Sequence, residues 1–431
     1  MTIIGKISPS GPSLRARNSL KHNSRRACTR RLKRNFQFPY FDGQNHARVR
    51  LVAPSRQIDF LIEDMKLLRE GQIVGNTYEI EKFLGEGAFA EVYRVKHRFL
   101  GRQAMKVLKL AGMTLEETHE MLGEAIILSR IGHPNIVRVF NADLIETEFG
   151  QCAFFTMEYV AGGSLESFWK SFGAALVPVE TSVDILRQVC RGLSVAHGEK
   201  PPIVHRDIAP QNILVGYDAG GLRARVSDFG LAKRVNPLTL LVSARGRKRF
   251  KAPEVFRQTN NDSCAGDVWA LGCTLHLLLT DKLPYDDATD DELESGKFTD
   301  RNLEPPSAIN TSVDSRLDRI VLRALALKPK DRYANAQQML ADLETWKPTS
   351  KNKASGKESY SSELSKGALG PLSTPDENSA KKLVEKAIKL AHVSGKLIEA
   401  ADLMEEAFTK SSGLREKYDY FVQLWRQGKV G

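Results

Sequence analysis

The sequence predicts an α+β fold: a strand-rich segment first, a helix-rich one after it, and a small all-α segment at the C-terminus. Three observations carry that expectation. Tyr78 to Leu84, Glu91 to His97 and Gln103 to Leu110 read as alternating strands. From Ser182 to His197 the apolar residues Val183, Ile185, Leu186, Val189, Leu193 and Ala196 recur at helical spacing. Near the end, three helical stretches are punctuated by Ser394-Gly395 and Ser411-Ser412-Gly413.

The 431 residues are 42% hydrophobic, which provides for a sizeable core and excludes disorder of the whole chain. The net charge of +11 sits at one end, because residues 1–50 hold 12 Lys or Arg against one acid, Asp42. The basic extension, residues 1–72, reads either as a solvated tail or as a contact for nucleic acid, an anionic membrane or an import receptor, and its acid-poor, Arg-rich make-up is also that of a transit peptide. Met65, close to the start of the strand pattern, is a second candidate for the initiating residue. Five cysteines with no C-x-x-C pair argue against a disulfide framework or zinc site and for a reducing, cytoplasmic compartment. The most apolar run, Val268 to Thr280, is too short to span a bilayer and contains His276, so a core helix and no transmembrane segment are expected.

Along the chain, Gly85-Glu86-Gly87-Ala88-Phe89-Ala90-Glu91-Val92 joins the first two strands, and its glycines let backbone N–H groups approach phosphate oxygens. Ala104-Met105-Lys106 sets an ammonium on an otherwise apolar strand. Glu124 falls on a helix expected from Leu115 to Arg130, ahead of His133-Pro134-Asn135. Cys152 to Tyr159 forms a further strand running into Val160-Ala161-Gly162-Gly163. The loop from Val204 to Val215 contains His205-Arg206-Asp207 and, five residues after the Asp, Asn212. A strand to Val215, a turn at Asp218 to Gly221 and a strand from Ala224 to Ser227 lead to Asp228-Phe229-Gly230. That arrangement gathers three oxygen-bearing side chains, Asp207, Asn212 and Asp228, round one cavity.

Taken together, these motifs resemble those of the eukaryotic-like (Hanks-type) protein kinases of the serine/threonine group, in order and spacing from about Val74 to Trp346. The resemblance implies a two-lobed kinase domain over residues 74–346, with ATP and Mg2+ in the cleft between a β-rich N-lobe and a helical C-lobe. By the resemblance, Asp207 orients the acceptor hydroxyl and takes its proton, while Asn212 and Asp228 hold the metal. Lys106, fixed by an ion pair with Glu124, contacts the α- and β-phosphates. Gly85, Gly87, Ala90, Val92 and Ala104 line the nucleotide site together with the hinge residues Met157, Glu158 and Val160. Glu254, in Ala252-Pro253-Glu254, would pair with Arg332, and Asp267 would brace the catalytic loop. The implied activity is transfer of the γ-phosphate to Ser/Thr hydroxyls of protein substrates, with autophosphorylation. The alternative is a kinase-fold scaffold acting through nucleotide and partner binding.

Some positions depart from the family. The third glycine of the loop is Ala90. Two residues after Asp207, where the family carries a lysine that neutralises the γ-phosphate, stands Ala209, and its Gly-Thr before Ala-Pro-Glu is here Gly246-Arg247. Arg247, or one of Arg245, Lys248 and Arg249, is the expected substitute charge, and the same cluster suits acidic substrates. Arg206 is expected to grip a phosphate on Ser243 or, second, Thr239.

After Trp346, residues 347–378 are rich in Ser, Lys, Gly and Pro and read as a flexible linker. Residues 379–431 follow as the helices Ala380 to His392, Leu397 to Lys410 and Leu414 to Arg426. Leu383, Ala387, Leu390, Ala401, Met404 and Phe408 would share a face, with Tyr418, Tyr420, Phe421 and Trp425 in the core. These helices form a small three-helix unit or a docking surface for a partner.

Overall fold

Period-two burial along the first strands builds one antiparallel sheet with two different faces. The computed structural model describes residues 66–87, 90–109, 122–123, 131–173, 175–229, 248–257, 262–295, 303–348, 375–411 and 413–430. The strands are β1 (Ile73–Val74), β2 (Tyr78–Glu86), β3 (Ala90–His97), β4 (Gly101–Leu108), β5 (Val139–Thr147) and β6 (Gly150–Glu158), in the order β1-β2-β3-β4-β6-β5. Tyr93, Val95, Met105, Val107, Cys152 and Phe154 fill one face, and Ala90, Ala104, Leu108, Ala153, Phe155 and Met157 the other. β4 starts two residues before the predicted strand. Residues 66–72, assigned from sequence to the extension, belong to this lobe: Leu68 is buried, and its N–H donates to Tyr93 Oη at 3.0 Å.

The second lobe is built round helices. α1 (Leu165–Lys170), capped by Ser164, and α2 (Val179–Gly198) precede the hairpin of β7 (Ile213–Asp218) and β8 (Gly221–Val226). Then come α3 (Pro253–Arg257), α4 (Cys264–Thr280), α5 (Asp290–Ser295), α6 (Pro306–Ile309), α7 (Ser315–Ala324) and α8 (Ala336–Thr345). In α4 every residue from Asp267 to Thr280 is buried, the pattern of a helix enclosed on all sides. No helix among the described residues is long and apolar enough to cross a membrane.

The C-terminal helices are α9 (Pro375–Ala391), α10 (Leu397–Phe408) and α11 (Leu414–Arg426). Pro375–Asn378, read as linker from composition, are the first turn of α9, where proline's fixed φ suits a helix start. Residues 349–374 lie outside the described residues. Ala387, Ala401, Met404 and Phe408 are buried together, with Leu383 and Leu390 packed against them. The predicted aromatic core divides: Trp425 is buried, whereas Tyr420 is 67% exposed and Phe421 half-exposed. Tyr418, Val422 and Trp425 recur at i, i+4 and i+7 and own the inner face, so 420 and 421 fall outside it.

These helices are seated on both lobes. Glu406 of α10 pairs with Lys82 of β2 and, at 3.1 Å, with Arg94 of β3, and Asp402 reaches Arg102 of β4 at 3.3 Å. On the other lobe, the Tyr217 N–H donates to Glu405 Oε2 at 3.1 Å, and the Arg415 guanidinium lies 4.4 Å from the Phe168 ring centroid. Two glycines permit the approach. A Cβ at Gly162 would stand 2.2 Å from Val215 O, and one at Gly216 would stand 3.0 Å from Glu405 Oε2. Through α10 and α11 the three-helix unit therefore bridges both lobes behind the hinge.

Candidate active site

Cross-strand register assembles the nucleotide side of the cleft. Gly85 stands opposite Val92, Val92 opposite Lys106, and Ala104 opposite Met157, which places these residues on one face of the sheet. The loop between β2 and β3 closes through the Gly87 N–H, which donates to Ala90 O at 2.8 Å. At the end of β6 the Glu158 N–H donates to Arg138 O (2.9 Å) while its carboxylate meets Arg225 at 2.9 Å. Val160 O accepts from the Gly163 N–H at 3.3 Å.

The opposite wall is a loop clamped from beneath. Buried Asp267, on α4, accepts from the N–H groups of His205 (2.7 Å) and Arg206 (2.8 Å) and from His197 Nε2 (3.0 Å). That grip holds Arg206 at φ 68°, a left-handed conformation that costs a non-glycine residue energy unless its surroundings fix it. His205 Nδ1 accepts from the Asp207 N–H, and Nε2 donates to Ser227 O at 2.8 Å, the pattern of a neutral ring. Complete burial, which lowers the His205 pKa, agrees with that tautomer.

On this platform Asn212 donates its amide to Asp207 twice, to the backbone O at 2.7 Å and to Oδ2 at 3.0 Å, which turns its own Oδ1 away as a free acceptor. Asp228, also at positive φ (59°), presents Oδ1 to Lys106 Nζ at 2.7 Å. That contact is an ion pair without hydrogen-bond alignment, so the buried oxygen keeps its lone pairs. One carboxylate and one amide oxygen are hard donors of the kind magnesium takes alongside phosphate oxygens, so the residues present fit that ion. Glu124, the expected partner of Lys106, lies outside the described residues, as do Ser243, Thr239, Arg245 and Arg247.

Of the basic residues expected to supply a substitute charge, Arg245 and Arg247 lie outside the described residues. Arg249 turns away to Asp286 O (2.8 Å) and Ala288 O (3.1 Å). Among the described residues Lys251 reaches Asp207, with Nζ 2.9 Å from Oδ1 and 2.5 Å from Arg206 O. A lysine directly before Ala252-Pro253-Glu254, two residues beyond Arg249, was the available signal. Behind it, Glu254 forms two bonds to Arg332, of 2.7 and 2.8 Å, over the Trp269 ring. Arg206 itself lies 3.5 Å from Asp262.

Residues 78–343 match the protein kinase domain family. A probable serine/threonine-protein kinase of Clostridium acetobutylicum is 32% identical over 277 residues, covering 63% of this chain and 40% of that protein. The serine/threonine-protein kinase PknB of Mycobacterium tuberculosis is 30% identical over 279 residues, covering 63% of this chain and 43% of PknB. The chain thus spans less than half the length of these curated relatives. Among solved structures, the kinase domain of Mycobacterium tuberculosis PknI is similar with a TM-score of 0.48 at 26% identity, covering 64% of this chain and 98% of that one. With the family's domain model matched over more than half its length, the chain belongs to the protein kinase family.

Proposed function

We propose that this chain is a serine/threonine protein kinase that transfers the γ-phosphoryl group of ATP to protein hydroxyls, its own included. The observation that carries the reading is Asp207, tied to Asn212 on a loop whose backbone is gripped by buried Asp267. Such a carboxylate takes the acceptor proton as the hydroxyl oxygen bonds to phosphorus and the β,γ-bridging P–O bond breaks, its electron pair leaving with ADP. Asp228 and Asn212 would hold Mg2+, which supplies charge neutralisation at the phosphates. Lys106 and Asp228 neutralise each other. With nucleotide bound, Lys106 would contact the phosphates, with Glu124 as its further support, and the Asp228 carboxylate would be released to hold the cation. The relatives' printed names support serine and threonine as acceptors. A reducing compartment such as the cytoplasm suits the cysteines: Cys152, Cys190, Cys264 and Cys273 are free thiols, and burial pushes Cys190 up to about 12.

The test is intact-mass and phosphopeptide analysis after incubation with ATP and magnesium, beside Asp228→Ala. Phosphate on Ser or Thr of the wild type alone is the expected result. No phosphate on either form, nor on added casein, would overturn the enzyme and leave the nucleotide-binding scaffold.

A further inference from the structure

Position 209 carries no charge and no access: Ala209 is fully buried in the C-lobe core, on extended backbone immediately before Pro210. A site that moves a phosphoryl group needs positive charge where the group passes, since catalysis there is mainly alignment and neutralisation. On the nucleotide side that charge is Lys106. On the acceptor side, the structure assigns it to Lys251, which we propose as the cation that holds Asp207 and faces the phosphoryl group in transit.

The geometry is that of a built position. Phe250 and Ala252, on either side of Lys251, are buried, and the Lys251 N–H closes a turn onto Lys248 O at 3.0 Å. Two residues further on, the Glu254 and Arg332 pair pins the segment to the lobe. Backbone and flanks are thus fixed while the side chain, 28% exposed, projects over the catalytic loop. Its ammonium is divided between Asp207 Oδ1 and Arg206 O, and Asn212 holds Oδ2. Each carboxylate oxygen therefore has its own donor, which orients Asp207 toward an incoming hydroxyl. The charge that the family carries on the catalytic loop comes here from the turn ahead of α3, 44 residues away.

The proposal rests on Asp207 being the group that meets the acceptor, so the experiment separates the two. Lys251→Met, Lys251→Arg and Asp207→Asn are compared with the wild-type chain for the autophosphorylation rate at saturating Mg-ATP, the KM for ATP, and nucleotide affinity by direct titration. The expected result for Lys251→Met is a rate lower by about 10²–10³, the usual effect of removing one preorganised charge donor. Its KM and nucleotide affinity should stay within about twofold of wild type, with Lys251→Arg recovering a large part of the rate. A fall in affinity as large as the fall in rate would overturn the assignment in favour of a purely structural role. A rate for Lys251→Met equal to or above wild type, with Asp207→Asn inactive, would also overturn it, and a raised rate would make Lys251 an inhibitory plug. If Asp207→Asn is itself fully active, the reading of Asp207 fails instead.

Discussion

The cleft and the back of the hinge both pair carboxylates with cations, but they do so in opposite ways. In the cleft, Asp228 and Lys251 are 30% and 28% exposed, and each pair leaves an oxygen or ammonium turned to where ligands enter. Behind the hinge, Glu405 is 1% exposed and saturated: Oε1 takes two bonds from Arg426 (3.0 and 2.6 Å), and Oε2 takes the Tyr217 N–H. Asp402 and Glu406 extend that network to Arg102, Arg94 and Lys82 on the N-lobe. An ion pair that can exchange partners serves binding, whereas a buried one with both carboxylate oxygens hydrogen-bonded serves to hold parts together. Between the carboxylates Asp228 and Glu405, 30% and 1% exposed, the uncommitted oxygen of Asp228 makes the difference.

The comparison is broken most severely at Arg426. Arg426→Ala leaves Glu405 buried without its counter-charge and should cost about 3–5 kcal/mol of unfolding free energy. Denaturation followed by circular dichroism measures it, and a variant as stable as wild type would mean that the hinge network contributes as little as an exposed pair. Lys106→Met sharpens the contrast from the front: phosphoryl transfer should fall by about 10²–10³ while unfolding changes far less than in Arg426→Ala. A drop in stability matching that of Arg426→Ala would erase the distinction.

The smallest effect is a pH dependence. Burial raises Glu405 to about 6, against the pull of Arg426. A carboxyl with a folded pKa above its unfolded value binds its proton more tightly when folded, so its contribution is fully present below about 4.5 and lost as pH rises through about 6. From the size of that shift the loss is about 2 kcal/mol. Glu405→Gln should remove this slope, so the stability of wild type relative to the variant should decline between pH 4.5 and 7. A constant difference across that window would show that Glu405 does not titrate there.

Legibility followed the range of the interaction. The strands were readable because each writes its alternation into eight or nine consecutive residues, and α2 because its apolar stripe recurs every third or fourth position. Asp207, Asn212 and Asp228 were readable because one short hairpin brings them together. Lys251 was not, since its partner is 44 residues away and a lysine in a basic segment gives no sign of which carboxylate it meets. Tyr420 and Phe421 were misplaced because aromatic content alone does not say which side of α11 faces inward.

By itself, the sequence determined the order of strands and helices, the loop residues round the cavity and the helical character of the C-terminus, all set by local periodicity and turn chemistry. Only the tertiary structure decided that Lys251 stands beside Asp207 and that the three-helix unit is seated, through α10 and α11, across both lobes behind the hinge. Those contacts join residues up to 324 apart, and burial, glycine clearance and carboxylate saturation select them only once the chain has folded.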